Sequence, residues 1–288
     1  MPVANRLARD FFGNDNFARD ADGFPVGFGR NSQRVLLPAF LSAYQGVSAD
    51  KVELGAFRSF PLPNWTIQYT GLMKLPWFRK NFRRFSMRHG YRSNYSITQF
   101  RTNLDFNRED PSELDQGGNF KSEVLYSNIF LEERFSPLIR IEATMKNSLQ
   151  INAEIARDRS LSLSFDNNLV TEIQGKEYTL GLGYRIKDLP IRSSLAGARQ
   201  VIRSDLNMTL DVNVRDNLTI IRSLDLDNNQ ITAGQTIWGL KFNAEYAFTN
   251  ALTGIFRFDY SFSDFAISTS FPQTQIRSGL TIRYNFGN

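Results

Sequence analysis

From Trp238 to Phe248 and again from Leu252 to Phe262, nearly every even-numbered residue is apolar, while most of the odd ones, such as Lys241, Asn243, Glu245, Arg257 and Asp259, are polar. A period of two sends successive side chains to opposite sides of an extended strand, whereas a helix repeats every three or four positions. The stretch is therefore two strands, each needing one apolar and one wet neighbour. Each spans about eleven residues; a tilted strand crosses a bilayer in about 9 to 11, and strands of soluble sheets more often have five or six.

The connection between them fixes the pairing. With Thr249-Asn250-Ala251 as a three-residue loop, Phe248 falls opposite Leu252, and the later pairs are Tyr246 with Gly254, Ala244 with Phe256, Phe242 with Phe258 and Leu240 with Tyr260. One face stays apolar across both strands, which a two-residue loop would prevent. The same device is predicted at Lys146-Asn147-Ser148 and Arg215-Asp216-Asn217, each containing an Asn that tolerates a left-handed backbone. Further turns are predicted at 174–177 and near 158.

Strand signals then cover 65–71, 84–106, 120–134, 137–146, 148–157, 160–173, 177–187, 203–215, 217–226, 234–249, 251–264 and 273–286. This gives about twelve or thirteen strands in an up-and-down antiparallel sheet. Residues 1–58 form an irregular, partly helical N-terminal region with one helix over Val35–Tyr44, and residues 59–288 form the sheet. Short connections alternate with longer ones at 188–202, 227–233 and 265–272, apart from the short turn near 158. Transmembrane barrels have this asymmetry, with tight periplasmic turns and longer outer loops. The expected fold is all-β, a segment of an antiparallel transmembrane barrel.

Hydropathy is silent on such a fold. The mean of -0.34 and the lack of a long apolar run exclude a membrane-spanning helix, but a strand with one oily and one wet face averages to neutral. The 25 Phe, 10 Tyr and 3 Trp are more telling. There is no cysteine, so disulfides, thiolate metal sites and cysteine nucleophiles are excluded together. The net charge of +5 is scattered and suits an anionic lipid surface as well as nucleic acid. The stretch after Met1 lacks an apolar core of signal-peptide length.

Few motifs carry chemistry. His89 is the one histidine, and a structural hydrogen bond is its expected role. No nucleophile elbow, metalloprotease or phosphate-loop pattern occurs, so no catalytic residue, metal or cofactor is expected. "KLPWFRKNFRRF" interleaves bases with aromatics, which fits single-stranded nucleic acid or a membrane interface; beside the strands, the interface is favoured, through Trp77, Arg79, Lys80, Arg83 and Arg84. The acidic stretches 107–119 and 225–229 read as solvated loops rather than calcium sites. The last strand presents Leu280, Ile282, Tyr284 and Phe286 on one face, a pattern similar to the closing strand that barrel-assembly machinery reads in bacterial barrels.

Several ordered segments are familiar: "NSQRVLLPAFLSAYQG", "PLPNWTIQYTGL", "HGYRSNYSITQFRTNLDF", "ERFSPLIRIEATMKNSLQ", "LGLGYRIKDLPI", "RDNLTIIR", "TAGQTIWGLKFNAEY" and "STSFP". From about Asn31 onward the chain resembles the C-terminal end of the SprA/Sov family, the outer-membrane translocon of the type IX secretion system, linked also to gliding motility. The resemblance implies a barrel on the order of 36 strands, the largest size known, conducting folded secreted proteins outward. It implies a plug protein and a PorV-type barrel as partners, besides cargo, outer-membrane lipid and the assembly machinery, and no nucleic acid. The chain is much shorter than that family, which suggests a C-terminal fragment or a gene model begun at an internal Met.

The expected lipid-facing residues are Trp238, Leu240, Phe242, Tyr246, Phe248, Phe256, Phe258, Tyr260 and Phe262; Lys241, Asn243, Glu245, Arg257, Asp259 and Arg283 are expected to line the lumen. A smaller self-contained porin or transporter barrel and a soluble β-sheet binding protein are the alternative readings.

Overall fold

The computed structural model describes residues 1–57, 63–193, 200–224, 228–249, 251–267 and 270–285. Among these, nine strands form a single antiparallel sheet in sequence order: β1 Trp65–Tyr69, β2 Phe82–Thr102, β3 Val124–Met145, β4 Gln150–Ser164, β5 Leu169–Ser193, β6 Gln200–Ser223, β7 Asn228–Ala247, β8 Leu252–Phe265 and β9 Gln273–Tyr284. The topology is up-and-down and all-β. The sheet is open: β1 and β9 are its edges, each paired on one side only among the described residues.

The β7–β8 hairpin has the register that its alternation dictates. Phe242 pairs with Phe258, Leu240 with Tyr260, Ala244 with Phe256 and Tyr246 with Gly254, and the Phe248 amide donates to the Leu252 carbonyl at 2.8 Å. Asn250 of its loop lies outside the described residues. The loop at 146–148 also forms, closed by the Met145 amide on the Leu149 carbonyl at 2.7 Å; Ser148, not Asn147, takes the left-handed backbone, at φ 71°.

The strands are fewer and longer than the sequence suggests. The expected turns near 158, at 174–177 and at 215–217 lie inside β4, β5 and β6. Their turn-forming residues serve cross-strand contacts instead: Lys176 pairs with Asp216, Glu177 with Arg215 and Asp158 with Gly175. A Cβ on Gly175 would stand 2.5 Å from the Asp158 carboxylate, so that glycine makes room rather than a turn. Conversely, the expected strand 160–173 is broken at 165–168, where Asn168 adopts φ 50°. The expected strands 120–134 and 137–146 run together as β3, and much of the expected loop 188–202 is strand.

These changes undo the expected alternation of turn lengths. The β5–β6 link now falls on the same side as the tight turns at 146–149 and 248–251, while the opposite side holds the short links at 165–168 and 224–227 beside the long one at 103–123. Beyond the ends of β4 and β7, β5 and β6 continue as a two-stranded ribbon in which Leu189–Ser193 pair with Gln200–Ser204.

At the opposite end a small cap sits on the sheet. It comprises α1 Pro2–Phe12, α2 Gln33–Gln45 and the β2–β3 link. Each helix stops at a glycine with a left-handed backbone, Gly13 and Gly46, whose amide returns to the carbonyl four residues back. The apolar side of α2 brings Leu37 and Leu41, with Val3, Val52 and Ala56, onto Ile129, Leu131, Leu161, Leu163 and Val170 of β3, β4 and β5. A second cluster locks in the β2–β3 link: Phe120 packs on Phe28 and Phe11, its amide donates to the Gly27 carbonyl at 2.8 Å, and the Gly29 amide donates to Asn119 Oδ1.

Candidate membrane belt and polar face

Strand pairing turns separate alternations into rows. One row of directly opposed residues crosses the whole sheet and takes one residue from each strand: Tyr69, Met87, Ile141, Ala153, Leu180, Val212, Leu240, Tyr260 and Ile276. All nine are apolar. Two positions further along β7, toward the tight turns, the row Phe85, Ala143, Ile151, Leu182, Leu210, Phe242 and Phe258 crosses from β2 to β8 and meets Ser278 in β9.

One residue from the apolar row, on the opposite face, the side chains are polar or absent: Ser86, Glu142, Asn152, Gly181, Asp211, Lys241, Asp259 and Arg277. Asp211, Lys241, Asp259 and Arg277 alternate in sign across four adjacent strands. Arg140 donates to Glu154 in the neighbouring row. A recess of about 330 Å³ opens here above Gly181 and Gly183, between Arg84, Glu142, Asn152 and Asp211. At Gly181 an added Cβ would meet Asp211 Oδ1 at 2.8 Å, so the glycine keeps the polar face hollow.

The apolar face is a belt of limited height. From Trp238 in β7 to Phe248 at the turn it spans about 33 Å along the chain, or about 25 Å at a barrel-like tilt, which is the height of the apolar band of outer-membrane barrels. β5, with 25 residues, is much longer than this. Toward the cap the same face turns polar, with Arg157, Lys176 and Asp216 in one row and Glu133, Arg159 and Gln174 in the next, before the cap core begins. The cap covers only that far end. Within the belt Trp238, Leu180, Tyr178, Tyr184 and Phe256 stay exposed, and in β9 Leu280 is 73% exposed.

The residues singled out from sequence separate by face. Trp238, Leu240, Phe242, Tyr246, Phe256, Phe258, Tyr260 and Phe262 share the apolar face, joined by Leu280, Ile282 and Tyr284 of β9. Phe248 closes the row from the turn, with its ring over Gly254. Lys241, Asn243, Glu245, Arg257, Asp259 and Arg283 share the other face. Phe286 lies outside the described residues. Tyr246 alone of the β7 aromatics is buried, and its hydroxyl reaches the Leu189 carbonyl at 2.9 Å and the Ile202 carbonyl at 3.1 Å. The ribbon therefore folds over it, bent where Asp188 takes φ 53° between shifted registers.

Trp77, Arg79 and Lys80 sit on a one-and-a-half-turn helix, α3 Pro76–Asn81, and Arg83 and Arg84 follow at the start of β2. Arg84 pairs with Glu142 at 3.7 Å. His89 Nδ1 donates to the Leu138 carbonyl at 2.6 Å between the rings of Trp65 and Phe135. Among the described residues no cluster of metal-ligating side chains occurs. In the acidic 107–119 stretch, Asp115 bonds the amides of Gly117 and Asn119 and shapes its own loop. Asp225, Leu226 and Asp227 lie outside the described residues.

Two features where the cap meets the sheet give no sequence signal. The Gln33 carboxamide donates to the Val124 carbonyl at 2.8 Å and accepts from the Tyr126 amide at 2.7 Å, copying a strand's pairing where β3 runs past the end of β4. Glu172, 2% exposed, is held by Arg159 and Arg222 at 2.8 Å each and by Gln174 at 2.7 Å. This cluster borders a largely apolar pocket under α2, where burial pushes the Tyr44 phenol well above its ordinary range.

No family model matches the chain, and no curated protein matches it.

Proposed function

We propose that this chain forms part of the wall of an outer-membrane barrel that conducts folded proteins, the role implied by its resemblance to the SprA/Sov translocons. The observation that carries the reading is the apolar row through all nine strands, backed by a charged, glycine-hollowed face. A sheet buried on one side by protein does not leave a band of bilayer height exposed, because large uncovered apolar patches drive association. The edges support a larger wall: Ile67 and Tyr69 in β1 and Ile276, Leu280 and Ile282 in β9 are exposed at belt level, so further strands added at either edge extend the same belt. The polar face lines the passage, and the reading assigns it no chemistry, only water and charge of both signs.

The absence of cysteine makes the test clean. Single cysteines at Lys241 and Arg257 react with a membrane-impermeant maleimide in a membrane-embedded preparation, and cysteines at Phe242 and Phe258 do not. Equal labelling at the four positions overturns the membrane reading. In the complete secretion complex, a photo-crosslinking residue at Asn243 captures cargo in transit, whereas one at Phe242 captures lipid. Cargo captured only from Phe242 reverses the faces.

A further inference from the structure

We propose that α3 and the start of β2 form a binding site for the anionic headgroups of phospholipids at the tight-turn rim of the belt. The inference rests on the membrane reading above and adds a ligand class to it. Phe78 lies 4.9 Å from Phe85 and 5.6 Å from Phe82, ring to ring, and Trp77 lies 5.8 Å from Phe82. Phe85 pairs with Ala143 and so belongs to the apolar face. These contacts lay the helix on that face at its lower end, where β1 has already stopped opposite Met87. Trp77 is 62% exposed and Leu75 is 49% exposed, as expected of side chains that enter the boundary of a lipid leaflet.

The surrounding charge has one sign. Lys74, Arg79, Lys80 and Arg83 lie on or beside α3, and Lys146 joins them through its amide on the Asn81 carbonyl at 3.0 Å and its own carbonyl, which accepts from Arg83 at 3.5 Å. None of the five has an acidic partner among the described residues, whereas the adjacent Arg84 turns to Glu142 on the polar face. Cations without acidic partners keep their charge free to meet an anionic headgroup, and long basic side chains flanking an apolar belt reach naturally to phosphate. Single-stranded nucleic acid also suits bases among aromatics, but its bases need open ring faces. Here Phe78, Phe82 and Phe85 spend theirs on each other and on the sheet, which favours lipid.

Flotation of the full chain with vesicles of phosphatidylcholine, or of phosphatidylcholine containing phosphatidylglycerol, tests this. The chain is expected to bind both and to prefer the anionic vesicles, with a preference that fades as salt rises. The triple variant Arg79→Gln, Lys80→Gln, Arg83→Gln is expected to keep its far-UV circular dichroism and its binding to neutral vesicles. It should lose the preference, about fivefold per cation and about a hundredfold in all. Replacing the two arginines by lysine restores most of it. A wild-type chain that binds both vesicles equally, or a triple variant that still discriminates, overturns the site while leaving the belt intact. Failure to float with either vesicle overturns the membrane reading beneath it. Tighter binding of a single-stranded oligonucleotide, abolished by the triple variant, assigns the patch to nucleic acid instead and also overturns the proposal.

Discussion

Phe242 stands directly opposite Phe258 in the neighbouring strand, level with Leu210 on one side and Ser278 on the other. A single position away, Asn243 stands opposite Arg257 on the other face. In the proposed setting Phe242→Arg or Phe258→Arg places a charge near the bilayer midplane and costs about 2 to 4 kcal/mol, whereas Asn243→Arg costs little. Denaturant unfolding from lipid vesicles measures the difference. Equal costs at the two neighbouring positions contradict the assignment of faces.

Glu172 holds two guanidinium groups that have no reason to meet without it. Glu172→Ala is expected to destabilise the chain by about 2 kcal/mol, less than the 3–5 typical when one partner of a fully buried pair is removed, because Arg159 and Arg222 still reach solvent. Replacing all three by leucine or methionine is expected to be close to neutral. The urea midpoint of the single and triple variants decides whether the cluster stabilises the sheet or only satisfies itself.

Gln33 anchors the cap by two bonds to the backbone of β3. Gln33→Ala leaves a carbonyl and an amide without those partners, a loss of about 1 to 3 kcal/mol confined to that end of the molecule. Hydrogen exchange should quicken in α1 and α2 while β5 to β8 keep their protection. A uniform rise across the sheet would show that cap and sheet unfold together.

Tyr246→Phe removes one phenolic proton shared between two carbonyls of the bent ribbon. The expected cost is about 1 kcal/mol, with faster amide exchange between Leu189 and Ser204 and no change near Phe258. Unchanged exchange in the ribbon would mean that the Asp188 bend and its bonds to Arg203 and Asp205 hold it alone.

What could be read from the sequence was whatever depended on near neighbours. The β7–β8 register follows from the side-chain period and the length of one loop, and α2 from the apolar run Val35–Tyr44. Strand continuity through 174–177 and 215–217 was hidden because Gly175, Asp216 and Asn217 resemble turn residues until Lys176 is set beside Asp216, a pairing that only the assembled sheet supplies. Asn168 is a miss of another kind: Asp166-Asn167-Asn168 is a turn signal, overruled by the apolar residues on either side. Glu172 meets Arg159 and Arg222 on the strands either side of it, Gln33 reaches from α2 to the backbone of β3, and no local pattern announces either.

The cap sits on the same side of the sheet as the belt, because Leu161 and Leu163 continue the line of Ala153 and Ile155 along β4. In a closed channel of the proposed orientation, the N-terminal helices are therefore outside, standing on the membrane surface like a bracket on an exterior wall. In that orientation the face that carries Lys241 and Asp259 looks inward and the two helices look away from it.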